Sequence, residues 1–103
     1  MSKARRNTVY HLNRALESLV KPADGFLDEM GKVDIQCHLF GAVEAFGAVD
    51  CPHSLEDINL LTQVRVGMRT AIMCFATGDI AGATTRVQAA LQSPYLAKFN
   101  VVS

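Results

Sequence analysis

Cys51 and His53 are the residues whose types and spacing come closest to a catalytic arrangement. They share the loop Asp50-Cys51-Pro52-His53, just ahead of a helix opening at Ser54. A thiol beside a helix N-terminus is acidified, and a nearby imidazole could take its proton, so the pair would make a thiol enzyme or a redox centre. The spacing matches no recognised signature, and no glycine cluster beside it could form an oxyanion hole. A thiol enzyme therefore ranks last of three functions. A metal site would have to recruit Cys37, His38, Cys51 and His53, with Cys74 or His11. Structural zinc sites pair their ligands as Cys-x2-4-Cys or His-x3-5-His, and nothing here has that spacing. Cys37 and Cys74 lie on apolar helical lines and read as small buried hydrophobes. The carboxylates Asp28, Glu29 and Asp34, and Glu56 and Asp57, cluster near helix starts, where dipole complementarity alone would put them. The seven glycines are scattered singly, so no phosphate-cradling loop exists. The expectation is no catalytic residue, no metal and no cofactor.

The basic residues suggest different chemistry. Lys3, Arg5, Arg6, His11 and Arg14 form a basic arm leading into a helix, and Arg65, Arg69 and Arg86 could extend a positive surface. Each phosphate such a surface neutralises adds affinity by releasing counterions. Residues 76–86 resemble a helix-turn-helix, with a glycine turn before a helix carrying Thr84, Thr85 and Arg86. The basic arm and surface, with that resemblance beside them, suggest a DNA- or RNA-binding regulator whose candidate contacts are Lys3, Arg5, Arg6, Arg14, Arg65, Arg69 and Arg86. The same hairpin is similar to one tetratricopeptide-type unit, with Ala71, Gly78, Ala83 and Ala90 at its small positions. Pro94 falls one position early and no earlier copy precedes it, so the likeness is that of any antiparallel helix pair.

The elements that must position these residues are helical. Val9, Leu12, Leu16 and Leu19 step by three and four residues, marking a helix over about 8–20 with Asn7 as its N-cap and residues 1–7 as a flexible arm. Lys21-Pro22-Ala23-Asp24-Gly25 then reads as a turn. A second helix, about 26–48, carries two apolar lines: Phe26, Met30, Val33, Cys37 and Phe40 on one, Ile35, Leu39, Ala42, Phe46 and Val49 on the other. Such a helix is expected to be central, with neighbours on more than one side. It repeats Phe-Gly-Ala-Val at 40–43 and 46–49, and its small residues Gly41, Ala42, Ala45, Gly47 and Ala48 would admit a close neighbour. Ser54 caps a third helix, about 55–77, with Ile58, Leu61, Val64, Met68, Ile72 and Phe75 in line. Gly78 and Asp79 end it and open a fourth, about 80–92, lined by Ile80, Ala83, Val87 and Leu91. Ser93-Pro94 opens a short C-terminal helical turn, with Tyr95, Leu96 and Phe99 able to dock back. The fold expected is a single all-α domain over residues 1–103, a compact bundle of four principal helices.

Composition bounds the rest. The chain has 103 residues, half of them hydrophobic and 19% charged, with ten basic and ten acidic side chains. That excludes a disordered tail, and three cysteines exclude a disulfide scaffold. The longest apolar stretch, residues 39–49, is too short to span a bilayer and contains Glu44. An Arg-rich start resembles a transit peptide, but its leucine line continues into the bundle and favours a structural helix. Three cysteines without evident pairing point to a reducing, cytoplasmic setting. Neutrality conceals blocks. Lys3, Arg5, Arg6, Arg14 and Lys21 against Glu17 sum to +4; eight acids against Lys32 over residues 22–57 sum to −7; four basic side chains against Asp79 over residues 58–103 sum to +3.

A domain of this size buries only some 60–70% of its unfolded chain's surface, so a half-hydrophobic sequence is expected to leave an apolar face over. The leading expectation is a non-catalytic module that binds another protein as adaptor, chaperone or inhibitor and associates with itself through Phe40, Phe46, Val64, Met68 and Phe75. Nucleic acid is the alternative partner. No membrane and no small-molecule substrate are expected.

Overall fold

The structure, a computed structural model, describes residues 2–20, 29–49 and 52–97. The chain is all-α: α1 Ser2–Val20, α2 Glu29–Gly47, α3 Leu55–Ala76, α4 Ile80–Gln92 and the short α5 Pro94–Ala97. Each long helix packs against its sequence neighbour, and α1 closes the ring against α4. Contacts from Ser18 to Asp34 and from His11 to His38 run in opposite chain directions, so α1 and α2 are antiparallel.

Local chemistry explains where the helices begin and end. The Ser54 side chain accepts from the Asp57 amide at 3.0 Å, capping α3. At the other end Gly78 takes φ 87°, the left-handed region that costs glycine least. The Gly78 amide donates to Phe75 and the Asp79 amide to Cys74, a Schellman closure that satisfies two terminal carbonyls. Asp79 then accepts from the Gly82 amide at 2.9 Å and starts α4. Three residues thus end one helix and begin the next, which forces α3 and α4 into an antiparallel pair.

The core is one stripe from each helix: Val9, Leu12, Ala15 and Leu19; Ile35, Leu39, Ala42 and Phe46; Leu61, Val64, Met68 and Ala71; Ala83, Val87, Ala90 and Leu91. Tyr95 and Leu96 of α5 seal it. Every long helix contributes at least one fully or nearly fully buried alanine, so backbones can approach closely at the centre.

Two expectations are corrected. The first helix does not start at Asn7 after an arm; it begins at Ser2. Thr8 is wholly buried and donates to the Ala4 carbonyl at 2.8 Å, while the Arg5 guanidinium lies 4.2 Å from the centre of the Tyr95 ring. The cation–π contact and the buried Thr8 tie the basic segment into the bundle. Nor is α2 central. It buries one line only, and on the other Met30 is 78% exposed, Val33 53% and Phe40 51%, with Cys37 exposed between them. The small-residue argument holds at Ala42, fully buried, and fails at Gly47 and Ala48, which face solvent.

Candidate functional site

The apolar residues Met30, Val33, Cys37 and Phe40 step by three, four and three, so they form one ridge along the outer side of α2. This is the a/d spacing of a coiled-coil seam, and Glu44 and Gly47 continue it. Glu29 and Asp34 flank the ridge with acid; Lys32, 3.5 Å from Glu29, is the basic side chain in that helix. A second set of exposed apolar residues, Leu55, Ile58, Val66 and Met73, lies on α3.

Of the interface residues expected from sequence, Phe40 alone is at the surface. Phe46, Val64 and Met68 are core residues, 1%, 2% and 1% exposed, and Phe75 packs against the core. The reason is rotational: on helices buried along one line, the inward residues are the largest apolar ones, and sequence does not say which line faces in. Cys37 is likewise exposed instead of buried, whereas Cys74 is half-buried against the core.

The basic residues do not act as one set. Arg5 is stacked on Tyr95, and Arg14 pairs with Glu17 at 3.3 Å. Lys3, Arg6, Arg65, Arg69 and Arg86 are exposed, and the last three make no ion pair among the described residues. Arg86 stands at the rim of a groove of about 320 Å³ between α3 and α4, floored by Val64 and Ala90 and bordered by Gln63 and Ser93. Thr84 and Thr85 donate their hydroxyls to carbonyls of their own helix. Cys51 lies outside the described residues, as do residues 1 and 21–28; His53 is exposed.

Sequence reasoning weighed His38 and His11 only within a wider metal set that it set aside; the structure brings these two together with Asp34 and Tyr10. His11 and His38, on neighbouring helices, bring their Nδ1 atoms to 3.0 Å. Asp34, one turn before His38, places Oδ1 3.6 Å from its Nε2. Tyr10 meets both imidazoles edge-on, with ring centres 5.3 and 6.2 Å away. Gly41 makes room: a Cβ there would come within 3.0 Å of the His11 ring. The signal available in sequence was weak, two histidines at the same relative height on helices of opposite direction.

Burial lowers the pKa of His11, the neighbouring His38 lowers it further, and Glu44 partly opposes both. The groups facing this ring are His38 with Asp34 behind it, Glu44, and Tyr10. Because folding depresses the pKa, the unfolded chain binds the extra proton more readily. The stability contributed is complete above about pH 6.5 and is lost as pH falls through that value toward the folded one. The thermal midpoint of the wild type should therefore drop more steeply below pH 7 than that of His11→Gln, by a few degrees. Parallel slopes would show that His11 titrates alike in both states.

Comparison with protein-family models, curated proteins and solved structures finds no match. No helix among the described residues is long and apolar enough to cross a membrane.

Proposed function

We propose that this protein is a non-catalytic helical module that binds another protein, as an adaptor, chaperone or inhibitor, through the outer ridge of α2. The observation carrying this reading is the exposure of Met30, Val33 and Phe40 at seam spacing on a helix otherwise well packed. An apolar ridge at that spacing fits an amphipathic helix laid alongside it. Its acidic flanks, Glu29 and Asp34, and Glu44 within it favour a partner helix with basic edges. Two copies meeting α2 to α2 would bring these carboxylates together, so self-association through this ridge is disfavoured. A cytoplasmic setting belongs to the same proposal.

The test compares wild type with Met30→Asp combined with Phe40→Asp. Neither side chain is in the core, so the fold should survive, with stability falling by about 0.5 kcal/mol at Met30 and about 1 kcal/mol at Phe40. Proteins captured from the native source by the wild type should be lost with the variant, and a helix from the captured protein should bind the wild type directly. Identical capture by both would refute the ridge as the docking face, and concentration-dependent light scattering abolished by the variant would name a second copy as occupant.

A second reading rests on Arg65, Arg69 and Arg86, exposed and without ion pairs among the described residues: nucleic-acid binding. A labelled duplex titrated at two salt concentrations decides it, since phosphate-driven binding must weaken with salt.

A further inference from the structure

We propose that His11 and His38 form a two-point chelate for a divalent late first-row transition ion, zinc, nickel or copper, at the α1–α2 interface. Their Nδ1 atoms lie 3.0 Å apart. With metal–nitrogen bonds of about 2.0–2.1 Å, that separation subtends roughly 90–100° at a shared ion, the bite of two cis ligands. The angle suits square-planar or octahedral coordination, and a further separation of roughly 0.3 Å reaches the tetrahedral value. Imidazole nitrogen selects these ions over magnesium or calcium, which take oxygen.

The surroundings prepare both rings. Asp34 places Oδ1 3.6 Å from His38 Nε2, outside hydrogen-bond reach, and its negative charge favours the tautomer with the proton on that far nitrogen, leaving the near lone pair for the ion. His11 lies against the α2 backbone in the space left by Gly41, so its position is set by packing. Burial helps keep this ring neutral, the form a metal needs. Without an ion, one Nδ1 donates to the other. On binding, the proton on His11 Nδ1 leaves and is replaced through solvent by one on Nε2 of the same ring. Both imidazoles stay neutral. Each ring turns so that its Nδ1 axis leaves the line between the two nitrogens by up to roughly 45°, and both Nδ1 lone pairs then converge on the ion. No three His, Cys, Asp or Glu residues converge as a cage among the described residues, so solvent completes the coordination.

The probes are zinc chloride and nickel chloride, titrated into the full chain near pH 7.5 and followed by imidazole nitrogen NMR and thermal melting. The expected result is one ion per chain, with His11 and His38 resonances moving and those of His53 unmoved. The midpoint should rise by roughly 5–10 °C at a tenfold excess over the dissociation constant, and magnesium should have no effect. His11→Gln and His38→Gln should each abolish the shift, and Cys37→Ser should keep it. The proposal is overturned if neither wild-type ring responds at about 1 mM ion, or if the response survives in His38→Gln. Should His38→Gln fail to fold, the wild-type ring resonances decide the matter. Met30→Asp with Phe40→Asp should bind the ion normally, so the docking ridge and the chelate fail or stand separately.

Discussion

Phe46→Ala is expected to cost about 3–5 kcal/mol, which for a domain of this size is a large part of all the stability it has. Phe46 is 1% exposed and is the bulkiest of the fully buried side chains. Its ring meets Tyr95 edge-on with centres 5.9 Å apart, so the truncation removes transfer free energy, opens a cavity and takes away an aromatic contact together. Urea titration should show the midpoint falling sharply with a similar slope, or no folded baseline at all. The control is Phe40→Ala. Phe40 stands in the same tetrapeptide sequence, six residues earlier, yet is 51% exposed, and its loss should cost only about 1 kcal/mol. Equal effects at the two positions would mean that α2 is not rotated as described.

The second large effect concerns the smallest element. Leu96→Ala is expected to cost about 2–5 kcal/mol, as much as a leucine in any of the long helices. A four-residue helix has no stability of its own. The α5 turn is held by Ser93, whose carbonyl accepts from Leu96 and Ala97, and by the burial of Tyr95 and Leu96 against α3 and α4. Tyr95 also carries the Arg5 guanidinium, so loosening α5 should be felt at the start of α1. Hydrogen exchange provides the measurement: amides near Arg5 and in residues 94–97 should lose protection together in the variant. Loss confined to α5 would show that the Arg5–Tyr95 contact does not couple the two ends.

Much of the architecture was legible because the relevant signals are local. The Ser54 cap, the Gly78 turn and the Asp79 cap each act over a few residues, and the structure has α3 and α4 beginning where those residues place them. What was not legible depends on rotation or on distant partners. Asn7 has the chemistry of an N-cap, but the packing of Thr8 and the docking of Arg5 extend α1 past it. Two apolar lines on α2 are both visible in sequence, and only the placement of α1 and α3 selects Ile35, Leu39, Ala42 and Phe46 as the buried one. His11 and His38 are 27 residues apart, and nothing in either helix alone announces that they meet.

The closure of α1 against α4 also sets an order of assembly. Three of the four contacts between long helices join sequence neighbours, so they form at small sequence separation and little entropic cost, as in fast-folding helical proteins. The remaining one joins α1 to α4, with two long helices between them in the chain. During synthesis α1 can settle on α2 early, while the part of its apolar face that belongs to α4 stays uncovered until α4 has been made. Substitutions in the part of α1 that packs on α4 should therefore raise the unfolding rate more than they slow folding.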